Sequence, residues 1–340
     1  TSIKEETFSP CIAYTGTRPV EYAAVPLTMY STGADHLESY TSISALLEHF
    51  YAEKNTLTRI RQKSSDLRRI VQTALERDIK KYDLQLAQMK DTEKREKYRI
   101  YGELLNTYGY SAKPGDKSLT AVNYYTNEPV TIPLDPTLSA TENAKKYFDK
   151  YGKLKRTYEA LSELTTQVKE EIDHLETIST ALDIALKEED LVEIKEELTQ
   201  SGYIRRKGGT KKAKITSKPF HYLSSDGFHI YVGKNNFQND ELTFKFANGN
   251  DWWFHAKGIP GSHVVVKTEG KELPDRTFEE AGRLAAYYSK GREQEKVEID
   301  YVQKKQVKKP AGAKPGFVVY YTNYSLMIDS DISGIEKISD

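Results

Sequence analysis

The sequence predicts an α+β protein: a long antiparallel coiled-coil hairpin with a small β tip, followed by a compact C-terminal α+β module with a largely antiparallel sheet. Three observations carry this expectation. Segments 42–108 and 139–200 hold apolar residues at helical spacing with no interior proline. A turn-rich, β-branched stretch separates them. Beyond residue 220, short strand-like runs alternate with turns around one amphipathic helix.

Taken in order, residues 8–30 read FSPCIAYTGTRPVEYAAVPLTMY. β-Branched and aromatic residues around a turn at Gly16–Pro19 predict a short hairpin or two strands, the last edge of a larger domain. The chain opens on Thr1 rather than Met, and so reads as a piece of a longer protein.

From Ile43 a stripe of Leu47, Phe50, Leu57, Ile60, Leu67, Val71, Ala74, Tyr82, Leu86 and Met89 recurs three, four or seven residues apart, with Ser42 or Ser44 able to cap its start. One unbroken helix here would be a rod of roughly 90 Å. Gly109–Pro136 interrupts it with a Pro114-Gly115 turn and two strand-like runs. The second helix opens on Ser139 or Thr141, with Glu142 placed for a capping box. Its seam, Leu154, Tyr158, Leu161, Thr165, Val168, Ile172, Leu175, Ser179, Leu182 and Leu186, steps by four and three and needs a partner helix. The simplest partner is the first helix, folded back; the alternative is a parallel homodimer. The charged faces of both helices are expected to be solvated.

Residues 202–219 form a basic linker with three glycines and no acid. In the module, 220–340, candidate strands are Phe220–Leu223, Phe228–Val232, Leu242–Phe246, Trp252–Ala256, His263–Lys267, Val297–Tyr301 and Phe317–Tyr321. The helix is Thr277–Lys290, with Ala281, Leu284, Ala285 and Tyr288 on one side. Between the last strands lies KKQVKKPAGAKPG, 304–316, with five lysines and no acid.

Composition bounds the function. Fifty Lys and Arg balance fifty Asp and Glu in 340 residues, so a polyanion must be met by local patches. Cys11 is the single cysteine, which excludes an intrachain disulfide and favours a reducing, cytoplasmic setting over the cell surface. No apolar run approaches the roughly 20 residues that span a bilayer. Glycine-rich phosphate loops, zinc-finger spacings and nucleophile elbows are missing, so neither catalysis nor a cofactor is expected. Ser262 lies near His255 and His263, but a strand follows it where a hydrolase needs a helix; the two histidines read as structural, without metal.

Trp252 and Trp253 occupy opposite faces of a strand. One ring can fill the core while the other covers an edge or offers a stacking face to a base. The basic clusters are more informative: Arg205, Arg206, Lys207, Lys211 and Lys212 before the module, and Lys304, Lys305, Lys308, Lys309 and Lys314 on its late loop. Brought together, they would bind phosphates with salt-sensitive affinity.

The blocks GKNNFQNDELTFKFA (233–247), DWWFHAKGIPGSHVVV (251–266), LAAYYSK (284–290), IDY (299–301) and KKPAGAKPGFVVY (308–320) resemble the NFACT-R module of the NFACT family, the group of RqcH, NEMF and bacterial fibronectin-binding-like proteins. The hairpin with its NYY and IPLDP tip resembles the family's middle region, and residues 1–35 resemble the closing strands of its N-terminal domain. Within the second block, Asp251, Trp253, His255, Pro260, Gly261, Ser262 and His263 match the family motif and are expected to be mainly structural.

The resemblance implies ribosome-associated quality control: binding to an obstructed large ribosomal subunit and tRNA, and promotion of C-terminal alanine tailing of stalled chains. The family's Asp-Arg tRNA-selecting motif belongs to an N-terminal domain outside this sequence. The alternative implied by the resemblance is a surface adhesin for host fibronectin or fibrinogen. No membrane partner is expected, and the chain is expected to be a monomer or weak dimer.

Overall fold

The computed structural model describes residues 8–15, 18–27, 35–206 and 216–339. They fall into two compact units, 75–172 and 1–74 with 173–340. At the start, β1 (Cys11–Thr15) lies between β2 (Arg18–Ala23) and β3 (Asp35–Ser39) in an antiparallel sheet, one strand more than the expected hairpin. The turn at Gly16 falls partly outside the described residues. Ile12 and Tyr14 of β1 bury against Leu46 and Phe50 of α1 (Ile43–Lys63). Ser42 caps α1, accepting from the Ala45 N–H at 3.1 Å.

The single rod expected over 42–108 is three helices: α1, α2 (Ser65–Asp91) and α3 (Arg95–Tyr108). Hydroxyls compete with the helix backbone at both breaks. Ser64 Oγ donates to Arg61 O at 3.0 Å, and Thr92 Oγ1 donates to Met89 O at 2.6 Å. Within unit 75–172 the α2 and α3 segments run antiparallel to α4 (Ala140–Ile184), as successive contacts show. Met89 meets Thr165, Arg95 lies over the Tyr158 ring at 4.0 Å, and Tyr98 stacks near Tyr147. Gly102 permits a close approach, since a Cβ there would sit 2.8 Å from the Phe148 ring.

Seam residues Leu161, Thr165, Val168, Ile172, Leu175 and Leu182 are buried. The first stripe drifts, however: Leu86 is 41% exposed while Asp78 and Gln85 are buried. The capping box forms as spaced, Ser139 N–H donating to Glu142 Oε2 at 2.8 Å and Glu142 N–H to Ser139 Oγ at 3.2 Å. The tip is the hairpin β4 (Ser118–Asn123) with β5 (Glu128–Pro133), whose Ile132 buries against Leu104, Leu105 and Tyr147.

A further break separates α4 from α5 (Glu188–Gln200), where Asp190 accepts the N–H groups of Leu186 and Lys187, both at 3.0 Å. The module then lays down β6 (Phe220–Leu223), β7 (His229–Val232), α6 (Asn236–Glu241), β8 (Trp252–Ala256), β9 (Val264–Val266), α7 (Asp275–Tyr287), β10 (Val297–Gln303), β11 (Tyr324–Ile328) and β12 (Glu336–Ser339). Its seven strands are antiparallel, in the order β11-β10-β8-β9-β7-β6-β12.

Two expected strands are absent from these elements. Leu242–Phe246 is a π-helical turn that continues α6, itself capped by Asn235, whose side chain accepts from Gln238 N–H. Phe317–Tyr321 contributes only the bridge Lys308–Val319, because Pro310, Pro315 and the positive-φ glycines 312 and 316 keep that loop from extended pairing.

Each sheet face is covered. On one, α7 buries Ala281, Leu284 and Ala285 against Phe254, Val264, Val266 and Ile299. On the other, the π turn and the 307–320 loop close over Trp253, Val265 and Val302, with Leu242, Val307 and Tyr320. Such burial contributes about 1.5–3 kcal/mol for each large apolar side chain.

Candidate nucleic-acid interface and its buried support

Both tryptophans are packed. Trp253 is fully buried, within 5.0 Å of the His263 and Tyr320 rings; Trp252 is half-buried on the α7 face, 4.9 Å from Phe278. The motif residues around them hold loops in place. Asp251 accepts from Asn248 N–H (2.7 Å), Thr268 N–H (3.0 Å) and Lys267 Nζ (2.5 Å). Burial pushes its carboxyl up, but the Lys267 ammonium and these N–H donors outweigh that and hold it below the usual range.

Pro260 O accepts from Lys290 N–H at 2.8 Å, Gly261 bridges to Ser289, and Ser262 N–H donates to Tyr288 O at 2.9 Å. These three contacts fasten the β8–β9 turn to the end of α7. His263 shares a hydrogen bond of 2.8 Å with Thr243, and its N–H donates to Asn239. Burial pushes His263 well below its ordinary value, with His255 adding to the shift. Burial likewise lowers His255 to about 4, although part of that side chain stays accessible. Two neutral imidazoles facing each other in T-shaped contact serve as packing elements at neutral pH. Among the described residues no group of three or more His, Cys, Asp or Glu could hold a metal ion.

The basic candidates separate by surroundings. Lys207, Lys211 and Lys212 lie outside the described residues. Arg205 is exposed, while Arg206 is held by Glu196 of α5. Lys304 and Lys305 occupy a short 3-10 turn that leaves β10, Lys304 5.8 Å from the Phe244 ring and Lys305 exposed. Lys308 is exposed beside the bridge to Val319. Lys309 is paired with Asp240 of α6, and Lys314 is half-buried. Lys304, Lys305 and Lys308, like the exposed Arg205, make no ion pair among the described residues, so their charge is available to a phosphate.

Sequence reasoning placed the arm's acids in solvent, and at α5 this fails. Asp190, Glu193 and Glu197 share one helical stripe and are at most 4% exposed. They receive the polar side chains that open α6. Lys234 Nζ reaches Asp190 at 3.2 Å; Asn235 and Gln238 donate to Glu193 at 2.7 and 2.8 Å; Asn236 donates to Glu197 at 2.7 Å. The far end of α6 then orders the lysine loop, since Asp240 accepts Gly316 N–H and pairs with Lys309. The i, i+3, i+7 spacing of the three acids was the available signal.

A helical hairpin whose last short helix seats a lysine-looped, antiparallel α+β module defines the class of protein. A family model described as NFACT N-terminal and middle domains matches residues 1–217, and one described as NFACT protein RNA binding domain matches 218–321. The chain belongs to the NFACT family.

It is similar to proteins named Rqc2 homolog RqcH. The Streptococcus suis protein is 41% identical over 90% of this chain and 55% of its own length, and the Bacillus subtilis protein 36% identical over 99% and 59%. The chain thus spans somewhat over half the length of these relatives. A solved structure, described as the C-terminal of the fibronectin/fibrinogen-binding protein from Streptococcus suis, matches at a TM-score of 0.65 and 37% identity, covering 82% of this chain and 99% of that one.

Proposed function

We propose that this chain is the arm and RNA-binding part of a ribosome quality control factor, and that it acts by binding rather than by catalysis. It would engage the obstructed large ribosomal subunit and tRNA in the cytoplasm, in support of alanine tailing by the whole protein. The observation that carries this reading is the 36–41% identity, along nearly the whole chain, to proteins named as Rqc2 homologues. The lysines 304, 305 and 308 support it, because they present unneutralised charge beside a rigid sheet.

The test is the affinity of the chain for tRNA and for large subunits across a salt series. Affinity should fall steeply with salt, and charge reversal at these three lysines should reduce the salt slope by about three. Binding that is absent, or indifferent to salt, sinks the proposal.

The second reading is adhesion to fibronectin or fibrinogen. It is favoured by the similarity to the Streptococcus suis structure, whose protein is named for binding those two. Cell fractionation separates the two readings. A pool found wholly at the surface, with none on ribosomes, would decide for adhesion.

A further inference from the structure

We propose that the open end of an aromatic ladder on the C-terminal sheet is a stacking site for an unpaired RNA base, with Tyr324 as the receiving ring; this rests on the RNA-binding reading above. Phe254, Tyr301 and Tyr324 are register partners on β8, β10 and β11, so their side chains stand in one row on the α7 face. Their rings stack in sequence, Phe254 on Tyr301 at 5.5 Å and 17°, Tyr301 on Tyr324 at 5.5 Å and 26°. Trp252 flanks the row, 5.8 Å from Tyr301 and 6.4 Å from Tyr324.

Exposure rises along the ladder, from 0% at Phe254 to 60% at Tyr324. Ordinary cross-strand packing accounts for the first two rings, which bury each other. It does not account for the third. β11 is the terminal strand of the sheet, so no strand of it continues the row, and the outer side of Tyr324 is open for one more ring. Edge strands are commonly blunted with charge, yet Tyr324–Ile328 reads YSLMI and carries none. Tyr324 lies just beyond residue 321, where the match to the family's RNA-binding domain ends.

Charge identifies the occupant. Lys305 is exposed on the turn that follows β10, whose Lys304 faces Phe244 on the other side of the sheet, and Thr322 Oγ1 donates to Gln306 Oε1 at 2.6 Å, pinning the approach to β11 onto that same turn. Tyr321, 68% exposed, lies on the pinned segment. Open aromatic rings beside cations are the composition of single-strand binding grooves, where each base has a π-face and each nucleotide a phosphate. Asp275 lies on the α7 side of Tyr301 and would repel a phosphate there, which directs the backbone toward the lysine turn. A duplex hides its bases in the stack, so the site selects unpaired nucleotides.

The experiment compares the whole 340-residue chain with its Tyr324→Ala and Tyr324→Phe variants, using fluorescence anisotropy with a short single-stranded RNA and with the same strand in a duplex. Tyr324→Ala should weaken the single strand by about fivefold or more, the loss expected for one stacked base. Tyr324→Phe should keep the affinity, the duplex should be unaffected, and the salt slope should not change. Circular dichroism checks that both variants fold, as the exposure of Tyr324 leads one to expect.

Single-strand affinity unchanged in Tyr324→Ala, or single strand and duplex weakened alike, overturns the stacking site while leaving the RNA-binding reading intact. A wild-type chain that binds neither RNA overturns both. Slowed amide exchange along β11 on adding an extended peptide, with RNA affinity intact in Tyr324→Ala, would replace the base by an added strand.

Discussion

Two helices support the C-terminal sheet module, and they do so with opposite chemistry. α7 lies on the sheet through Ala281, Leu284 and Ala285, all fully buried among apolar side chains. α5 meets α6 through buried Asp190, Glu193 and Glu197, three carboxylates against one ammonium, with amide side chains as donors to Glu193 and Glu197 and backbone N–H groups and the Ser217 hydroxyl as further donors to Asp190. The apolar contact is non-directional and fixes little beyond proximity. The polar contact demands one register, because a slip would leave a buried carboxylate without its donor. That register is what α6 passes on to the lysine loop through Asp240.

The largest effect should come from the apolar side. Leu284→Ala removes a fully buried side chain from the α7 core and should cost about 2–5 kcal/mol, the spread reflecting how far the site collapses. Urea unfolding gives the value. It should change little between pH 5 and pH 8, since no group in that contact titrates there.

The polar side should show the reverse. Burial pushes the Glu197 carboxyl up to about 7 from its ordinary value of 4.5; Asn236 pulls it back, and Glu193 and Asp240 push it further up. His174 Nε2 also faces it, 3.8 Å from Oε1. Between pH 4.5 and 7 the folded chain therefore keeps a proton that the unfolded chain has lost. Stability falls as pH rises through that window, by about 3 kcal/mol in all. Glu197→Gln should flatten this part of the curve and be the more stable protein at pH 8. Equal slopes for variant and wild type in paired melts at pH 5 and 8 would remove Glu197 as the cause.

The same contrast separates what could be read in the sequence from what could not. The α7 face was legible, because Ala281, Leu284, Ala285 and Tyr288 repeat at helical spacing. The capping box at Ser139 and the strands Phe220–Leu223 and Trp252–Ala256 were legible for similar local reasons. The α5 face was not: Asp190, Glu193 and Glu197 look like solvated charge until the amides of residues 235–238, far along the chain, are brought against them. The segment Leu242–Phe246 misled through its β-branched and aromatic content, since tertiary packing beneath Leu242 keeps it helical. Among the basic candidates, charge alone could not separate Lys304 and Lys305 from Lys309, which Asp240 neutralises.

Asn236 is where the two chemistries meet the candidate interface, and a smaller effect there should be the most diagnostic. Its Nδ2 donates to Thr177 and Glu197, while its Oδ1 lies against Gly316, where an added Cβ would stand only 2.3 Å away. Gly316 has φ of +80°, a left-handed conformation that an alanine adopts only with strain. Gly316→Ala thus carries two costs, backbone strain of about 1 kcal/mol and a clash with Asn236. In an Asn236→Ala background the strain remains and the clash is relieved except for the residue-236 Cβ, 3.0 Å from the added one. The double-mutant cycle should return a coupling of about 0.5–3 kcal/mol, with the double variant less destabilised than the sum of the singles. Strict additivity would mean that α6 and the lysine loop are held independently, and that the register fixed at α5 does not reach the lysines.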